Sequence, residues 1–234
     1  MANDLIVNND SKKLPSHVAN ATGAGNENVS SADMAIPAIK LLQDLSPEIK
    51  KDKAEYVPGA EPGKILVTLG SALHDELILI NLYYDHEYAL FRKRKFGGGF
   101  HGAYPTADAA MAKAKEEGGG STEMFEVVET GRHTVLIVNP ETGELRPAIL
   151  NMNSTKLKIS RRWNTDLNEL GGDRFSSVWK LSVTSQSNSK GDFYNYKVEN
   201  LGWASEDLYE HAKQFYTQIK ASFEEEAEKS REAA

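Results

Sequence analysis

From Arg146 to Trp203 the chain reads RPAILNMNSTKLKISRRWNTDLNELGGDRFSSVWKLSVTSQSNSKGDFYNYKVENLGW, and the elements legible in this stretch decide the fold. Ser154 to Leu170 carries Ile159, Trp163, Leu167 and Leu170 at steps of four, four and three, the apolar stripe of an amphipathic helix. Lys158, Arg161 and Arg162 fall together on the flank of that stripe, so Trp163 is expected in the core and the three cations outside it. Two β-rich runs follow, Val178 to Thr184 and Phe193 to Glu199. The polar segment Ser185 to Asp192 joins them, which predicts a hairpin with a flexible tip. Alternation sets Tyr194 and Tyr196 on one face of its second strand. Phe193, Asn195 and Lys197 then share the other, wetter face.

Upstream, short β-rich runs recur: Ile65 to Leu69, Leu77 to Tyr84, Tyr88 to Lys95, Met124 to Thr130 and His133 to Val138. Thr130-Gly131-Arg132 reads as a hairpin turn, Pro140-Glu141-Thr142-Gly143 as another, and Asp85-His86-Glu87 as an exposed polar turn between strands. Ala107 to Glu117 predicts a helix, capped by Thr106 and stopped by Gly118-Gly119-Gly120. Ile39, Leu42 and Leu45 stand at helical spacing between Ile36 and Leu45, and Ser46-Pro47 would end that helix. Residues 1–33, rich in Asn, Ser, Gly and Ala, read as a flexible arm before a domain over 34–204. A C-terminal helix over 205–234 starts at the N-cap Ser205, presents Leu208, Ala212, Phe215, Ile219 and Phe223 as its apolar stripe, and frays in the acidic run from Glu224.

Taken from Leu77, the order is a long bent strand, an insertion, a strand pair, a helix and a final strand pair. That order predicts a mainly β fold with helices, an OB-fold-like five-stranded barrel with an insertion after its first strand and a C-terminal helix. Such barrels bind oligonucleotides through the face of strands two and three and through the first and last hairpin loops. Here those loops are Phe96 to Thr122 and Ser185 to Asp192. The first follows Arg92-Lys93-Arg94-Lys95 and contains Phe96, Gly97-Gly98-Gly99, Phe100 and Tyr104; the second carries Lys190 beside Phe193 and Tyr194. Arg92 and Arg94, two apart on a strand, are expected on one side of it.

Charge and aromatic content supply the functional expectation. The whole chain of 234 residues carries a net charge of -7, yet from Arg146 to Trp203 nine Lys and Arg face five Asp and Glu, among all three tryptophans. Cations that track a phosphate backbone, beside rings on which unpaired bases stack, are the ingredients of single-stranded nucleic acid binding. The expected interface is Arg92, Lys93, Arg94, Lys95, Phe100, Tyr104, Lys158, Arg161, Arg162, Lys190, Phe193 and Tyr194. No cofactor, metal site or catalytic constellation is expected: the six histidines are scattered, Gly97-Gly98-Gly99 lacks the Lys-Ser or Lys-Thr of a P-loop, and cysteine is absent. The rival readings are a structural or host-interaction protein without nucleic-acid binding and a metal-dependent nuclease at Asp85-His86-Glu87 near His101. With no signal peptide and no apolar run of membrane-spanning length, the expected location is the cytoplasm, without a membrane partner. A homo-oligomer is compatible with the composition.

Four segments carry a family resemblance. Ile36-Pro37 with Leu41-Leu42-Gln43, Gly97-Gly98-Gly99-Phe100 after a basic strand, Lys158-Ile159-Ser160-Arg161-Arg162-Trp163-Asn164, and Asn188-Ser189-Lys190-Gly191-Asp192-Phe193-Tyr194 resemble bacteriophage single-stranded DNA-binding proteins of the OB-fold type. The resemblance spans Ile36 to Tyr216. It implies a protein that coats or protects single-stranded DNA with little sequence preference during phage replication or recombination, in the host cytoplasm. Replication or recombination proteins are then expected partners of the C-terminal segment. Many phage proteins of this function end in an acidic tail closed by an aromatic residue, whereas this chain ends Arg231-Glu232-Ala233-Ala234.

Overall fold

The computed structural model describes residues 24–27, 35–189 and 191–232, with side chains to Ala221 apart from that of Asn188. The chain divides into two units, Met1–Ala35 and Ile36–Ala234. In the first, a turn is described in which the Gly25 N–H donates to the Glu27 carboxylate at 2.9 Å.

Among the described residues the second unit is mainly β, with three α-helices. Its strands are β1 (Ala38–Leu41), β2 (Ile65–Val67), β3 (Ala72–His74), β4 (Leu77–Arg92), β5 (Phe100–Tyr104), β6 (Phe125–Val138), β7 (Leu145–Asn153), β8 (Ser177–Asn188) and β9 (Gly191–Trp203). The helices are α1 (Ala107–Glu117), α2 (Leu157–Leu170) and α3 (Glu206–Glu232). All nine strands join one sheet in the order β3-β2-β1-β7-β6-β4-β8-β9, with β5 paired to β4 off that path. Ile39 of β1 is buried in one cluster with Leu181 of β8 and Tyr196 of β9, although β1 stands far from those two strands in that order. The sheet therefore curls around a common core. Trp163 and Leu167 of α2 fill the same cluster, whereas α3 packs Ala212 and Phe215 over Ile80, Leu82 and Leu136 on the opposite face.

Several elements differ from the sequence expectation. The segment from Ile36 to Leu45 is not a helix: β1 pairs antiparallel with β2 and parallel with β7. Ile39 and Leu41 are buried while Lys40 is exposed, an alternation of period two, and Leu45 is 73% exposed. Over so short a run both periods fit, and the neighbouring strands decide. The two runs from Leu77 and Tyr88 fuse into β4, so Asp85-His86-Glu87 lies within a strand.

Thr130-Gly131-Arg132 is likewise inside β6, which pairs with β4 along its whole length. Gly131 serves approach rather than turning, because a Cβ there would lie 2.4 Å from Ser160 Oγ on α2. The hairpin forms at Asn139, where Asn139 Oδ1 accepts from Glu141 N at 2.9 Å and Gly143 has φ 72°, and it leads into β7. Proline at 147 and sparse alternation hide β7 from sequence reading. Among the described residues the sheet thus has nine strands where five were expected, because β1, β2, β3 and β5 add to it.

Helices α1 and α3 begin where the caps predict, whereas Ser154–Lys156, expected within the second helix, form a 3-10 turn before α2. Thr106 Oγ1 accepts from Ala109 N at 3.2 Å and Ser205 Oγ from Leu208 N at 3.3 Å. In α2, Trp163 and Leu167 are buried as expected, but Leu170 is exposed and Leu157 and Ser160 are buried instead. The helix α3 continues through the acidic stretch to Glu232.

Candidate nucleic-acid interface

Strands β4 and β6 outrun the core and form, with β5, a three-stranded extension whose own cluster is Leu90, Ala114 and Phe125. Helix α1 covers one face of it, which accounts for the burial of Ala110 and Ala114. The basic stretch lies at the far end. β4 stops at Arg92, and residues Arg94–Phe96 form a 3-10 turn closed by Gly97 in the left-handed region. Arg92 and Arg94 therefore do not share a strand face: the alternation expected of them ends one residue too early. Arg92 is half-buried, its Nη2 3.9 Å from Met124 Sδ, and Lys93 Nζ donates to Glu123 O at 2.8 Å. Arg94 is exposed, and Lys95 Nζ sits 4.6 Å from the Phe96 ring centre and 3.7 Å from Glu123.

Phe100 is 62% exposed, its ring centre 5.6 Å from that of Phe91 on the face away from α1. Within the expected binding loop Phe96 to Thr122, α1 stands where the sequence predicts a helix, and β5 is a strand that the sequence reading did not contain. Tyr104 turns inward: its hydroxyl donates to His101 O at 3.1 Å and its ring packs on the Leu90 cluster.

The cations of α2 are differently placed. Lys158 is exposed, but Arg161 Nη2 lies 2.6 Å from Glu129 Oε1 and Arg162 Nε 2.6 Å from Asp166 Oδ1. Glu129 also meets His86 Nε2 at 2.8 Å, and these partners hold its carboxyl below the ordinary range.

The β8–β9 hairpin is corrected at its tip. The ladder continues through Ser187 opposite Asp192 and Asn188 opposite Gly191, so most of the expected polar loop is paired strand. Polar cross-strand pairs, such as Ser187 Oγ donating to Asp192 Oδ1, extend it without an apolar signal. Lys190 lies outside the described residues. Phe193 is half-buried. Tyr194 packs against the core, and a Cβ on Gly63 would stand 2.8 Å from its ring. On the expected wet face Lys197 is exposed, but Asn195 is buried, accepting from Tyr196 N at 3.0 Å and donating to Gln186 at 3.1 Å. Tyr196 is buried as expected.

The two expected binding loops are not brought together along the sheet. β8 lies antiparallel on the start of β4, Leu181 opposite Leu77, and continues past it to Asn188. The basic loop lies beyond the other end of β4, so that strand's sixteen residues separate the two.

A buried polar cluster escapes the sequence reading. His133 Nε2 is 2.8 Å from Ser160 Oγ, and its Nδ1 is approached by Asn81 Nδ2 at 2.9 Å and Arg174 Nη2 at 3.3 Å. Arg174 also donates to Asn81 Oδ1 at 2.7 Å and Asn164 Oδ1 at 2.5 Å. Burial, with the Arg174 charge, holds the imidazole pKa down to about 3. The ring is therefore neutral, with its proton on Nε2 donated to Ser160. Ser, His and Asn stand in the order of a hydrolase triad, yet Asn81 donates to the ring where a triad's third member must accept. All three are fully buried. The cluster fastens α2 to β4 and β6. Nothing in the spacing of residues 81, 133, 160 and 174 marks it.

The nuclease reading finds its histidines engaged apart, His86 with Glu129 and His101 Nδ1 with Glu117 at 2.5 Å. Among the described residues no group of three or more His, Cys, Asp and Glu could hold a metal ion, and no helix is long and apolar enough to cross a membrane. No curated protein and no solved structure matches the chain. A family model does: that of the Pam3 phage gp34-like protein matches residues 8–224, and the chain belongs to that phage protein family.

Proposed function

We propose that this protein binds single-stranded DNA with little sequence preference, through the tip of the β4–β5–β6 extension. The observation that carries the reading is Phe100, an exposed ring beside Phe91 at the end of a strand that delivers Arg94 and Lys95 to solvent. A ring open on one face beside solvent-facing cations can stack an unpaired base and neutralise its phosphate. Left-handed glycines at 97, 98 and 99 let the backbone turn tightly there, with φ of 107°, 70° and 119°.

The finer fold reading supports the same function. β4 pairs with β6 along its length and with β8 at its start, β6 with β7 and β8 with β9, and α2 connects β7 to β8. That order agrees with an OB-like barrel, whose first hairpin loop is a binding loop, and so supports the reading. β1 stands beside β7, and Gln43 after it exchanges two hydrogen bonds with the Tyr194 backbone of β9, at 2.8 and 3.0 Å. The added strand and a glutamine amide bridge β7 to β9, consistent with an OB-like barrel expanded at its seam. Membership of a phage family agrees with work on replicating or recombining DNA.

Oligo-dT titrated against intrinsic fluorescence at increasing salt tests the reading. Binding should weaken on a log-log line with about -0.7 per phosphate neutralised, and duplex should bind more weakly. A flat salt response, or equal affinity for duplex, rejects it. The rival, an interaction protein without nucleic-acid binding, draws on the exposed Leu201 and Trp203 of β9. It predicts the flat response.

A further inference from the structure

Arg174 carries a charge that the described residues do not neutralise. Its side chain enters the buried polar cluster from the segment between α2 and β8. Nε donates to Asn81 Oδ1 at 2.7 Å and Nη2 to Asn164 Oδ1 at 2.5 Å, with His133 Nδ1 3.3 Å from Nη2. The guanidinium carbon stands 5.4 Å from the centre of the Tyr84 ring. These neighbours are two amides, an uncharged imidazole and a phenol, so they satisfy hydrogen bonds and cancel no charge. Among the described residues Arg174 makes no ion pair. Burial pulls its pKa down to about 10, which still leaves it protonated at neutral pH.

A desolvated cation without a counter-charge is costly to a fold, and an arriving anion relieves that cost. The atom left to receive one is Nη1. It makes no bond in the described structure, yet it is not sealed from solvent as the orphaned Trp163 Nε1 and Arg92 Nε are. Because Nε and Nη2 are both fixed, the planar guanidinium is held and Nη1 is aimed. The field around it has the same sign: Arg161 lies one turn before Asn164 on α2, and Lys158, one turn earlier still, pairs with no carboxylate among the described residues.

We propose that Arg174 Nη1 is the seat of a phosphate group, at a site apart from the strand tip. Guanidinium is the side-chain group best suited to phosphate oxygens, and it is weakly hydrated enough to be kept half-buried while it waits. A phosphate of up to two negative charges gains more beside Arg174, Arg161 and Lys158 than a carboxylate does. The seat does not depend on DNA binding at the tip, and the two can fail separately.

The test uses the full chain and inorganic phosphate, titrated against chloride at constant ionic strength. Phosphate should shift the His133 ring and the Asn81 and Asn164 side-chain amide resonances along one saturation curve and raise the melting temperature, where chloride does neither. Asn164→Asp places a carboxylate at the contact that Asn164 Oδ1 now makes with Nη2. That variant should melt higher in the absence of phosphate and bind phosphate about tenfold more weakly. Arg94→Glu with Lys95→Glu should leave the phosphate response unchanged. Oligo-dT that displaces phosphate from these resonances makes a backbone phosphate the source, whereas oligo-dT that leaves them unmoved makes it a free phosphate or a monoester. A response no greater than that to chloride, shifts scattered away from Arg174, a response lost with the tip variant, or undiminished binding by Asn164→Asp would each overturn the proposal.

Discussion

Two basic clusters that look alike in sequence, Arg92 to Lys95 and Lys158 to Arg162, meet opposite fates in the fold. On α2 the acidic partners come from one turn along, Asp166, and from another strand, Glu129, and both arginines are engaged at 2.6 Å. At the strand tip Arg92 is drawn inward and Lys93 is tied to a carbonyl, while Arg94 projects and Lys95 lies over Phe96 beside an exposed Phe100. Local charge density therefore does not measure available charge. An arginine already sharing a carboxylate must give up that partner to take a phosphate, and exposed pairs of this kind contribute at most about 1 kcal/mol.

The contrast can be broken at several points. Trp163→Ala should have the largest effect, about 3–5 kcal/mol of stability, because its ring is buried and stacks on His133 at 4.8 Å. Oligo-dT affinity at a temperature where the variant is folded should be unchanged; a binding loss there would make α2 part of the interface.

His133 gives a pH test of the same region. Its folded-state value near 3 lies below that of the unfolded chain, so the unfolded chain takes up the proton first. The contribution is complete above about pH 6.5 and is lost as pH falls toward 3, by up to about 1.4 kcal/mol per pH unit. Denaturant midpoints of wild type and His133→Gln across that window should converge as pH falls; parallel curves would mean the ring is not held neutral.

Phe100→Ala should remove about 1–3 kcal/mol of oligo-dT binding with little change in melting temperature. Early melting with normal binding would make the ring a packing group. Arg94→Glu with Lys95→Glu should make the salt slope shallower by about 0.7 for each phosphate no longer neutralised, and more than Arg161→Glu with Arg162→Glu does. The smallest effect is expected of Glu129→Gln, which frees Arg161 and should raise affinity at low salt by less than about 1 kcal/mol. A larger gain would make the α2 cations a latent part of the site and dissolve the contrast.

Legibility follows the range of the interactions. Thr106 and Ser205 announce α1 and α3 because a cap bonds only three residues ahead. Trp163 and Leu167 are readable as core because a helix repeats its burial every turn. Gly131 misleads because glycine suits both a turn and a close crossing, and only the arrival of Ser160 separates these uses. Two misreadings then offset each other: Gly131 divides β6 in the sequence pattern and β7 goes unseen, so the strand count before α2 comes out right for the wrong reason. Of the expected interface, Arg94, Lys95 and Phe100 remain solvent-facing, while Arg92, Tyr104 and Tyr194 pack inward and Arg161 and Arg162 acquire carboxylate partners.

What the sequence determined by itself is the mainly β class of the fold, the starts of α1 and α3, and Trp163 and Leu167 as the core face of α2, all set by contacts within a few residues. The tertiary structure alone decided that Ile39 to Leu41 is a strand, that Arg161 shares Glu129 with His86, and that His133 is held neutral against Arg174. Each of these depends on partners supplied from distant segments of the chain. A strand pairing, a shared carboxylate and a desolvated ring are properties of pairs of segments, and no window along one of them contains the other.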